Sequence, residues 1–488
     1  MKTLPPTSRS VVLALLALTL FPLLRWYFGV GFIGSDDSLY WENAGKWLTH
    51  FPYVADNHWG LRHTLVIPIA LARLALGDVQ VALMLPTLIY AEAFLLVLAV
   101  WLWRVGGGVA GVALLLVVVD PLLVVWGSTA DIDIVEVFFI FAAFALFAGA
   151  PSARPGWWRL LACGGLMGLA YISRETAAFA VAAFGVLFLA GFGMKRQYYF
   201  VIALGFAVPV LAELAFLWVK TGDPLYRLSI AYHHDSTINR WAMDNGVTVL
   251  IHPAIDPVVM LLTNHYFGLL AWLGIPLTVW LLRHGKLSAP MRRTAICLAV
   301  LGSVWTIIAA GFWGLLPLVP RYYLLPSLCA SVLAGMALWQ LQQQGRRRLA
   351  RGLGAAIMLV GLGALSLENR NFMFGERALV TLAAANPGVI HTDDQTLRRA
   401  DLLLHWAGLD GRVVDTPPKP GELDLYNRPR IEGDFRPGPG WVVVTQIAPA
   451  PTWIQRILGA ILPVGRIPPS IWEKLGPRHP GVTLYRVG

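Results

Sequence analysis

Charged side chains are scarce in this 488-residue sequence, where Asp, Glu, Lys and Arg together make up only 14%. Hydrophobic residues make up 57%, and the mean hydropathy is +0.62. A soluble protein of ordinary composition has about 25% charged residues. The composition therefore excludes a wholly soluble enzyme and indicates an integral membrane protein.

Cysteine is also scarce, with three residues in the chain. Cys163, Cys297 and Cys329 lie far apart in apolar segments, so the sequence predicts neither a disulfide framework nor a zinc site. We interpret them as small buried hydrophobic residues. The absence of a convincing internal repeat weakens the case for an inverted-repeat transporter.

Apolar segments of about 20 residues, long enough to cross a bilayer, recur along the first three quarters of the chain. The sequence predicts about eleven transmembrane helices, at 10–30, 83–103, 107–127, 132–150, 157–173, 176–193, 198–218, 257–282, 294–315, 322–342 and 351–367. Segment 64–76 is too short to span and carries Arg73, so we expect an amphipathic helix on the membrane surface. The first span lacks a small-x-small cleavage site and is interpreted as an anchor.

The net charge of +10 could indicate a nucleic-acid partner. Instead, 13 basic residues fall in the short connections on one side of the predicted bundle: Arg104, Arg154, Arg159, Lys195, Arg196, Arg283, Lys286, Arg292, Arg293, Arg346, Arg347, Arg348 and Arg351. With a cytoplasmic N-terminus this distribution follows the positive-inside rule. The basic excess thus indicates topology, and no nucleic-acid partner is expected.

This topology divides the chain into a transmembrane domain, 1–367, and an extracytoplasmic tail, 368–488. It also places two loops outside, 31–82 and 219–256. The tail has short apolar runs that predict strands, separated by helical patterns, so we expect a small soluble α/β domain. Within it, the HTDDQ segment at 391–395 could bind an acceptor, but a helix N-cap is preferred.

The first outer loop opens with two adjacent carboxylates, Asp36 and Asp37, directly after a membrane span. A charge there is costly unless it is satisfied or useful. One of the two could cap the following helix. The functional alternative makes one a general base at the membrane surface.

Further charged residues mark the outer ends of other spans. Arg62 could hold a lipid phosphate or anchor the loop at the interface. Arg321, next to Tyr322, could grip a phosphate or snorkel to the interface. Arg174 and Glu175, in the tight turn between the fifth and sixth spans, could face a cavity or partner or simply neutralise local charge.

Acidic residues also lie at the outer end of a span, at the start of the fourth. Asp131, Asp133 and Glu136 stand at a helix N-terminus, where a carboxylate is favourable by itself. In the second outer loop, His233, His234 and Asp235 could bind a metal, but a solvated or acceptor-facing loop is preferred.

These acids and separated arginines suit transfer of a sugar from a lipid phosphate. The arginines would stabilise the charge that grows on the phosphate as the glycosidic bond breaks. One carboxylate would deprotonate the incoming hydroxyl or amine on the opposite face, which predicts inversion at the anomeric carbon.

The pattern resembles the GT-C glycosyltransferases, in particular the protein O-mannosyltransferase and lipid A aminoarabinose transferase branch. Asp36, Asp37 and Tyr40 resemble the Asp-Glu pair and Tyr that open the family's first outer loop, with Asp in place of Glu. The family's surface helix before a Leu-Pro span is similar to residues 62–77, although Met84 stands where Arg is usual.

Other segments extend the resemblance over residues 1–340. Asp133 matches the family's acid before paired phenylalanines, Arg174 its basic residue after Gly-Leu-Ala, and Arg321 its Arg-Tyr segment that opens a late span. The resemblance implies a polyprenyl-phosphate sugar donor contacted by Arg321, a hexosyl- or pentosyltransferase activity and Asp36 as base. It also implies a bacterial inner membrane, and it leaves a divalent metal open; no organic cofactor is expected.

The sequence therefore predicts an α-helical polytopic membrane protein with catalytic residues Asp36, Asp37 and Asp133 and phosphate-binding residues Arg62, Arg174, Arg321 and Tyr322. Membrane lipids and a glycan, lipid or protein acceptor are the expected partners. Two alternatives stay open: a transporter or flippase for lipid-linked saccharides, which needs polar groups along a path through the membrane, and a polymerase or ligase that uses a diphosphate-linked oligosaccharide.

Overall fold

The computed structural model describes residues 8–150, 155–235, 251–252, 255–312, 318–368, 373–428, 437–462, 466–477 and 479–488. The first part of the chain is helical: α1 (Ser8–Phe28), α2 (Asp36–Thr49), α3 (His63–Leu76), α4 (Gln80–Val105), α5 (Gly107–Val118), α6 (Pro121–Trp126), α7 (Asp133–Ala148), α8 (Trp157–Ser173), α9 (Ala178–Leu189), α10 (Gln197–Thr221), α11 (Tyr226–Asp235), α12 (Asp256–Thr263), α13 (Leu270–His284), α14 (Ala289–Ile307), α15 (Leu324–Gln343) and α16 (Arg347–Glu368). Short 3₁₀ turns at Glu175–Ala177 and Pro320–Tyr323 precede α9 and α15, and a π turn at Ile308–Phe312 follows α14.

Within these ranges, six helical stretches are long and apolar enough to cross a membrane: Val11–Phe28, Gln80–Val105, Gln197–Thr221, Ala289–Gly311, Pro320–Gln343 and Arg347–Leu367. Shorter apolar helices lie between them. The predicted class, a polytopic α-helical membrane protein, is confirmed. The expected helix at 64–76 is present as α3, and its position at the membrane surface stays a prediction.

The prediction of a single span at 107–127 is wrong, because Asp120 interrupts it between α5 and α6. Asp120 caps α6 directly before Pro121, whose ring nitrogen has no hydrogen to continue the preceding helix. The Asp120 carboxylate also accepts hydrogen bonds from Ser327 (2.7 Å) and Ser331 (3.0 Å) of α15. The sequence analysis missed this residue, although an Asp-Pro pair is an ordinary helix-start signal.

The prediction of a single span at 257–282 is also wrong, because α12 ends before α13 begins. Asn264 is in extended conformation at the end of α12, and its side-chain oxygen accepts from the backbone N–H of Tyr266 (3.0 Å). Gly268 then turns the chain with φ of +50°. Other assignments fall outside the described residues: the end of span 294–315, Arg154 and the side chains of His234 and Asp235.

Glycines let α8 and α10 approach closely. A Cβ atom at Gly164 would lie 1.9 Å from the carbonyl oxygen of Ile202, and one at Gly205 would lie 2.2 Å from that of Leu161. Small residues at helix contacts are typical of membrane bundles, since they allow backbones to meet. α8 ends at Ser173, and the next residue, Arg174, is in extended conformation.

The rest of the chain forms the predicted α/β unit. It contains α17 (Phe374–Ala385), β1 (Ile390–Thr392), α18 (Asp394–Trp406), β2 (Val413–Val414), β3 (Leu423–Tyr426), β4 (Val442–Ile447), α19 (Trp453–Ile461), α20 (Pro469–Lys474) and β5 (Val482–Arg486). The sheet order is β2-β1-β3-β5-β4, with β1 parallel to β2 and β3, and β5 antiparallel to β3 and β4. Asp393 caps α18 by accepting from the backbone N–H of Thr396 (2.8 Å), which confirms the preferred interpretation of that segment.

This α/β unit packs on the loop that precedes α2. The Trp406 ring meets Phe32 and Trp41 edge to face, with centroids 5.4 and 5.6 Å apart. Arg399 donates to the carbonyl oxygen of Ile33 (2.6 Å). The unit therefore supports the chain segment that leads into the paired acids.

Candidate active site

Arg321 lies where four connections meet, at the start of α2, before α7, after α8 and before α15. Its Nη1 atom is 3.4 Å from Oδ2 of Asp36 and 3.3 Å from Oδ2 of Asp131. Its guanidinium lies 5.8 Å from the ring centroid of Trp126 and 5.6 Å from that of Tyr322. Two acids from separate connections and two rings thus hold one cation in place.

The adjacent acids Asp36 and Asp37 have different surroundings. Asp37 is fully buried, and its carboxylate accepts hydrogen bonds from the backbone N–H groups of Ile33 (2.6 Å), Ser35 (2.7 Å) and Ser38 (3.1 Å). Burial raises the pKa of Asp37 to about 6, against the lowering effect of these bonds. Asp37 therefore holds the start of α2, whereas the Asp36 side chain is 19% exposed and faces Arg321.

The charges around Asp36 and Asp131 shift their pKa values in opposite directions. Burial alone would raise the pKa of Asp36, but Arg321 and Arg62 outweigh it and hold that pKa below its usual value. Burial, followed by repulsion from Asp133, raises the pKa of Asp131 to about 7. Asp36 is thus ionised at neutral pH, as a general base must be.

A second ion pair lies beside the first. Arg174 contacts Asp133, and their side chains are only 6% and 4% exposed. The Arg174 guanidinium lies 4.6 Å from the ring centroid of Tyr322. One turn further along α7, Glu136 accepts from the hydroxyl of Thr176 (2.7 Å). The deeper acid Glu136 therefore has a local partner in the turn after Arg174.

Arg62 is buried and donates to the hydroxyl of Tyr40 in α2. It is also close enough to Asp36 to attract it and to Arg174 to be repelled by it. Two guanidinium groups, from Arg62 and Arg321, therefore lie near the partly exposed acid Asp36, and that of Arg174 lies near Arg62.

Arg227, in α11, was missed by the sequence analysis. It is 4% exposed and contacts Glu175 (2.7 Å), Glu213 (3.0 Å) and the carbonyl oxygen of Leu61 (3.2 Å). His63 lies 3.3 Å from the same Glu213. The isolated acid Glu213 within an apolar span could have predicted a basic partner, but no sequence signal identified which one. Arg227 joins the loop before Arg62 to the turn after Arg174.

No group of three or more His, Cys, Asp and Glu side chains that could hold a metal occurs in the described part of the chain. His233 is exposed, and its ring hydrogen-bonds the carbonyl oxygen of Ser229 (2.7 Å). Metal dependence stays open.

The structure brings the predicted residues into one contiguous set, except that Asp37 faces backbone instead of the arginines. The set consists of Asp36, Arg62, Asp133, Arg174, Arg321 and Tyr322, with Asp131 added by the structure. Buried guanidinium groups beside an ionised carboxylate can bind a phosphate and accept a proton next to it.

Comparison with known proteins gives structural similarity alone, since no protein-family model and no curated protein sequence matches the chain. The structure is similar to ArnT from Cupriavidus metallidurans bound to undecaprenyl phosphate, with a TM-score of 0.55 and 13% identity over 98% of both chains. It is also similar to the oligosaccharyltransferase AglB from Archaeoglobus fulgidus in complex with an inhibitory peptide and a dolichol-phosphate, with a TM-score of 0.56 and 12% identity over 82% of this chain. The chain spans 64% of the length of AglB. These similarities show that the chain shares the polytopic helical fold of these two proteins.

Proposed function

We propose that the protein is a membrane glycosyltransferase that moves a hexosyl or pentosyl group from a polyprenyl-phosphate donor to an extracytoplasmic acceptor. The observation that carries the proposal is the position of Arg321, between the partly exposed Asp36 and the buried Asp131. The bound undecaprenyl phosphate of ArnT and dolichol-phosphate of AglB support the same donor class.

In the proposed reaction Asp36 removes a proton from the acceptor hydroxyl or amine. The freed electron pair attacks the anomeric carbon, and the bond from that carbon to the phosphate oxygen breaks. Polyprenyl phosphate leaves with the bonding electrons. Because attack and departure occur on opposite faces, the anomeric configuration inverts. Arg321, Arg174 and Arg62 stabilise the charge on the leaving phosphate.

Arg321 gives the site a way to couple donor binding to base strength. In the structure, Arg321 lies against Asp36 and lowers its pKa. A phosphate forms stronger, bidentate pairs with a guanidinium than this 3.4 Å contact. Donor binding would therefore draw Arg321 away, raise the pKa of Asp36 and make it a better base.

The proposed location is the bacterial inner membrane, with the N-terminus cytoplasmic and residues 368–488 on the outer side. The basic connections and the position of the acids at the other ends of the helices support this orientation. The acceptor is a glycan, a lipid or a protein.

The experiment compares Asp36→Asn with Asp56→Asn, which changes an exposed carboxylate in the same outer loop. Cell-envelope lipids and glycans are measured by mass spectrometry at matched protein levels. Asp36→Asn is expected to accumulate one polyprenyl-phosphate sugar and to lose one glycan, because no group accepts the proton. Asp56→Asn is expected to match the wild type.

Normal transfer by Asp36→Asn contradicts the assignment of the base. The main alternative, a transporter of lipid-linked saccharides, predicts a different result in reconstituted vesicles, where donor would cross the bilayer without an acceptor. Single-turnover transfer by purified protein with donor and acceptor on one side distinguishes the two. A diphosphate-linked oligosaccharide as the accumulated lipid would indicate a polymerase or ligase.

A further inference from the structure

The helical bundle has an open cavity of about 740 Å³ between α4, α7, α8 and α14. It lies at the end of the bundle opposite the candidate active site, since α7 begins at Asp133 and ends at Ala148, which lines the cavity. Sixteen residues of helix separate the two ends by about 24 Å, at ~1.5 Å per residue. The cavity is therefore a separate site.

Apolar side chains form most of the cavity wall. Leu96 and Val100 of α4 line it and are 55% and 51% exposed. Leu166 of α8 and Ala145 of α7 line the other walls. Since exposed apolar side chains on a membrane-spanning helix face lipid, the cavity opens toward the acyl-chain region.

Three arginines, Arg104, Arg159 and Arg293, line the same cavity. Two of them donate to carbonyl oxygens at the end of α7, Arg159 to Leu146 (2.8 Å) and Arg293 to Ala150 (2.6 Å). These bonds fix the two guanidinium groups against the helix end. Arg293 also donates from Nη2 to the carbonyl oxygen of Phe147 (2.9 Å), so a ligand in the cavity would be bound by Arg104 and Arg159.

Arg159 lies close enough to the other two arginines to interact with each. Arg159 is repelled by both Arg104 and Arg293. In the part of the chain that the structure describes, neither Arg104 nor Arg159 forms an ion pair with a carboxylate. Gathering like charges beside an apolar wall is unfavourable, and a bound anion removes that cost.

We propose that this cavity binds one anionic phospholipid, with its phosphate on Arg104 and Arg159 and an acyl chain along the apolar wall. Guanidinium groups match phosphate oxygens in geometry and charge. A lipid fits better than a soluble phosphate because the wall is apolar and opens to the membrane. In the proposed topology the cavity lies at the cytoplasmic leaflet, where basic residues attract anionic lipids.

The test measures lipid binding to the full-length protein in detergent by native mass spectrometry. Phosphatidylglycerol and phosphatidylcholine with identical acyl chains are titrated, and glycerol phosphate serves as the soluble competitor. The wild type is expected to bind one phosphatidylglycerol about tenfold more tightly than phosphatidylcholine, because the arginines that bind the phosphate repel the positive charge of choline.

The variant Arg104→Gln with Arg159→Gln is expected to lose this preference. Its matched control removes two exposed arginines away from the cavity, Arg283→Gln with Arg348→Gln, and is expected to keep it. Ala145→Phe fills the cavity with all arginines intact, so it is expected to weaken binding of both lipids and tests the proposal even if the double variant fails to fold.

Three results overturn the proposal. The first is a wild type without preference for phosphatidylglycerol, and the second is equal loss of preference in the cavity and control double variants. The third is competition by glycerol phosphate at the same concentration as the lipid, which indicates a soluble anion as ligand.

Discussion

The two ends of the bundle use arginine differently. At the candidate active site, Arg321 lies between Asp36 and Asp131, and Arg174 contacts Asp133. At the opposite cavity, arginines donate to backbone carbonyl oxygens at the end of α7. A carboxylate keeps a cation aligned and can be exchanged for a phosphate. A carbonyl oxygen also aligns a cation, but because it is neutral, the cation keeps its full charge and can attract an anion.

The dipole of α7 explains part of this difference. Acids are favourable at a helix N-terminus, where Asp133 and Glu136 stand, and cations are favourable at the C-terminus, where Arg159 and Arg293 bind. The dipole does not explain Arg174 at the N-terminal end, because a cation is unfavourable there. The ion pair with Asp133 offsets that cost, and the acid-rich end is the better candidate for chemistry because Arg321 lies beside the partly exposed Asp36 there.

The largest effect is expected from breaking the most buried pair, with Asp133→Ala. This variant leaves Arg174 buried without its carboxylate and is expected to cost about 3 to 5 kcal/mol of unfolding free energy. The matched change at the other end, Arg159→Ala, removes a hydrogen bond to a carbonyl and is expected to cost about 1 kcal/mol. Thermal unfolding in detergent at fixed lipid content measures both. Equal losses of unfolding free energy in the two variants would mean that the ion pair at one end is no more important for stability than the carbonyl contact at the other.

The sequence predicted which residues belong to the acid-rich end, because a charge stands out in an apolar chain. Asp36, Arg174 and Arg321 each lie at the end of an apolar run. An even number of predicted spans separates them, which places all three on the same side of the membrane. Their pairing could not be predicted. The contact between Arg321 and Asp36 joins positions 285 residues apart, and helix packing alone brings them together.

The missed features have a related cause. Asp120 and Arg227 act through partners on distant helices, Asp120 through α15 and Arg227 through Glu213 of α10. Neither partner is marked in the sequence as belonging to a pair. β3, whose residues are LDLY, contains none of the short apolar runs that predict strands in the tail.

A change in rate is expected from Arg321→Lys. Lysine keeps the charge but is a point donor that cannot bridge Asp36 and Asp131 or pair with a phosphate in bidentate geometry. Transfer is expected to fall about 10²-fold, the lower range for losing one donor to a developing negative charge. Initial rates with purified donor measure this. Arg283→Lys at the other end is the control, and a similar loss there would indicate a general effect of arginine on the protein.

An effect of pH on stability is expected at the acid-rich end. The pKa of Asp131 is raised to about 7 in the folded protein, against about 3.9 in an unfolded chain. The folded state therefore keeps a proton that the unfolded state releases, so stability falls as pH rises from about 4 to 7. Asp131→Asn cannot titrate and is expected to show a shallower fall in unfolding temperature. Arg159→Gln is expected to keep the wild-type slope, and a slope unchanged in Asp131→Asn would contradict the assignment.

The smallest effect is expected from Arg104→Gln, and the sign of its effect on stability is expected to depend on the lipid. Arg104 is exposed and repels Arg159. Without anionic lipid, the variant relieves this repulsion and is expected to be more stable than the wild type by a few tenths of a kcal/mol, in the range of surface substitutions. With phosphatidylglycerol, the wild type gains more from binding and becomes the more stable protein. Unfolding temperatures with and without this lipid measure the reversal. If the order of stability stays the same in both conditions, the arginines at this end set the membrane topology and bind no lipid. The two ends then differ in helix dipole and in the side of the membrane on which they lie, but only one of them binds a ligand.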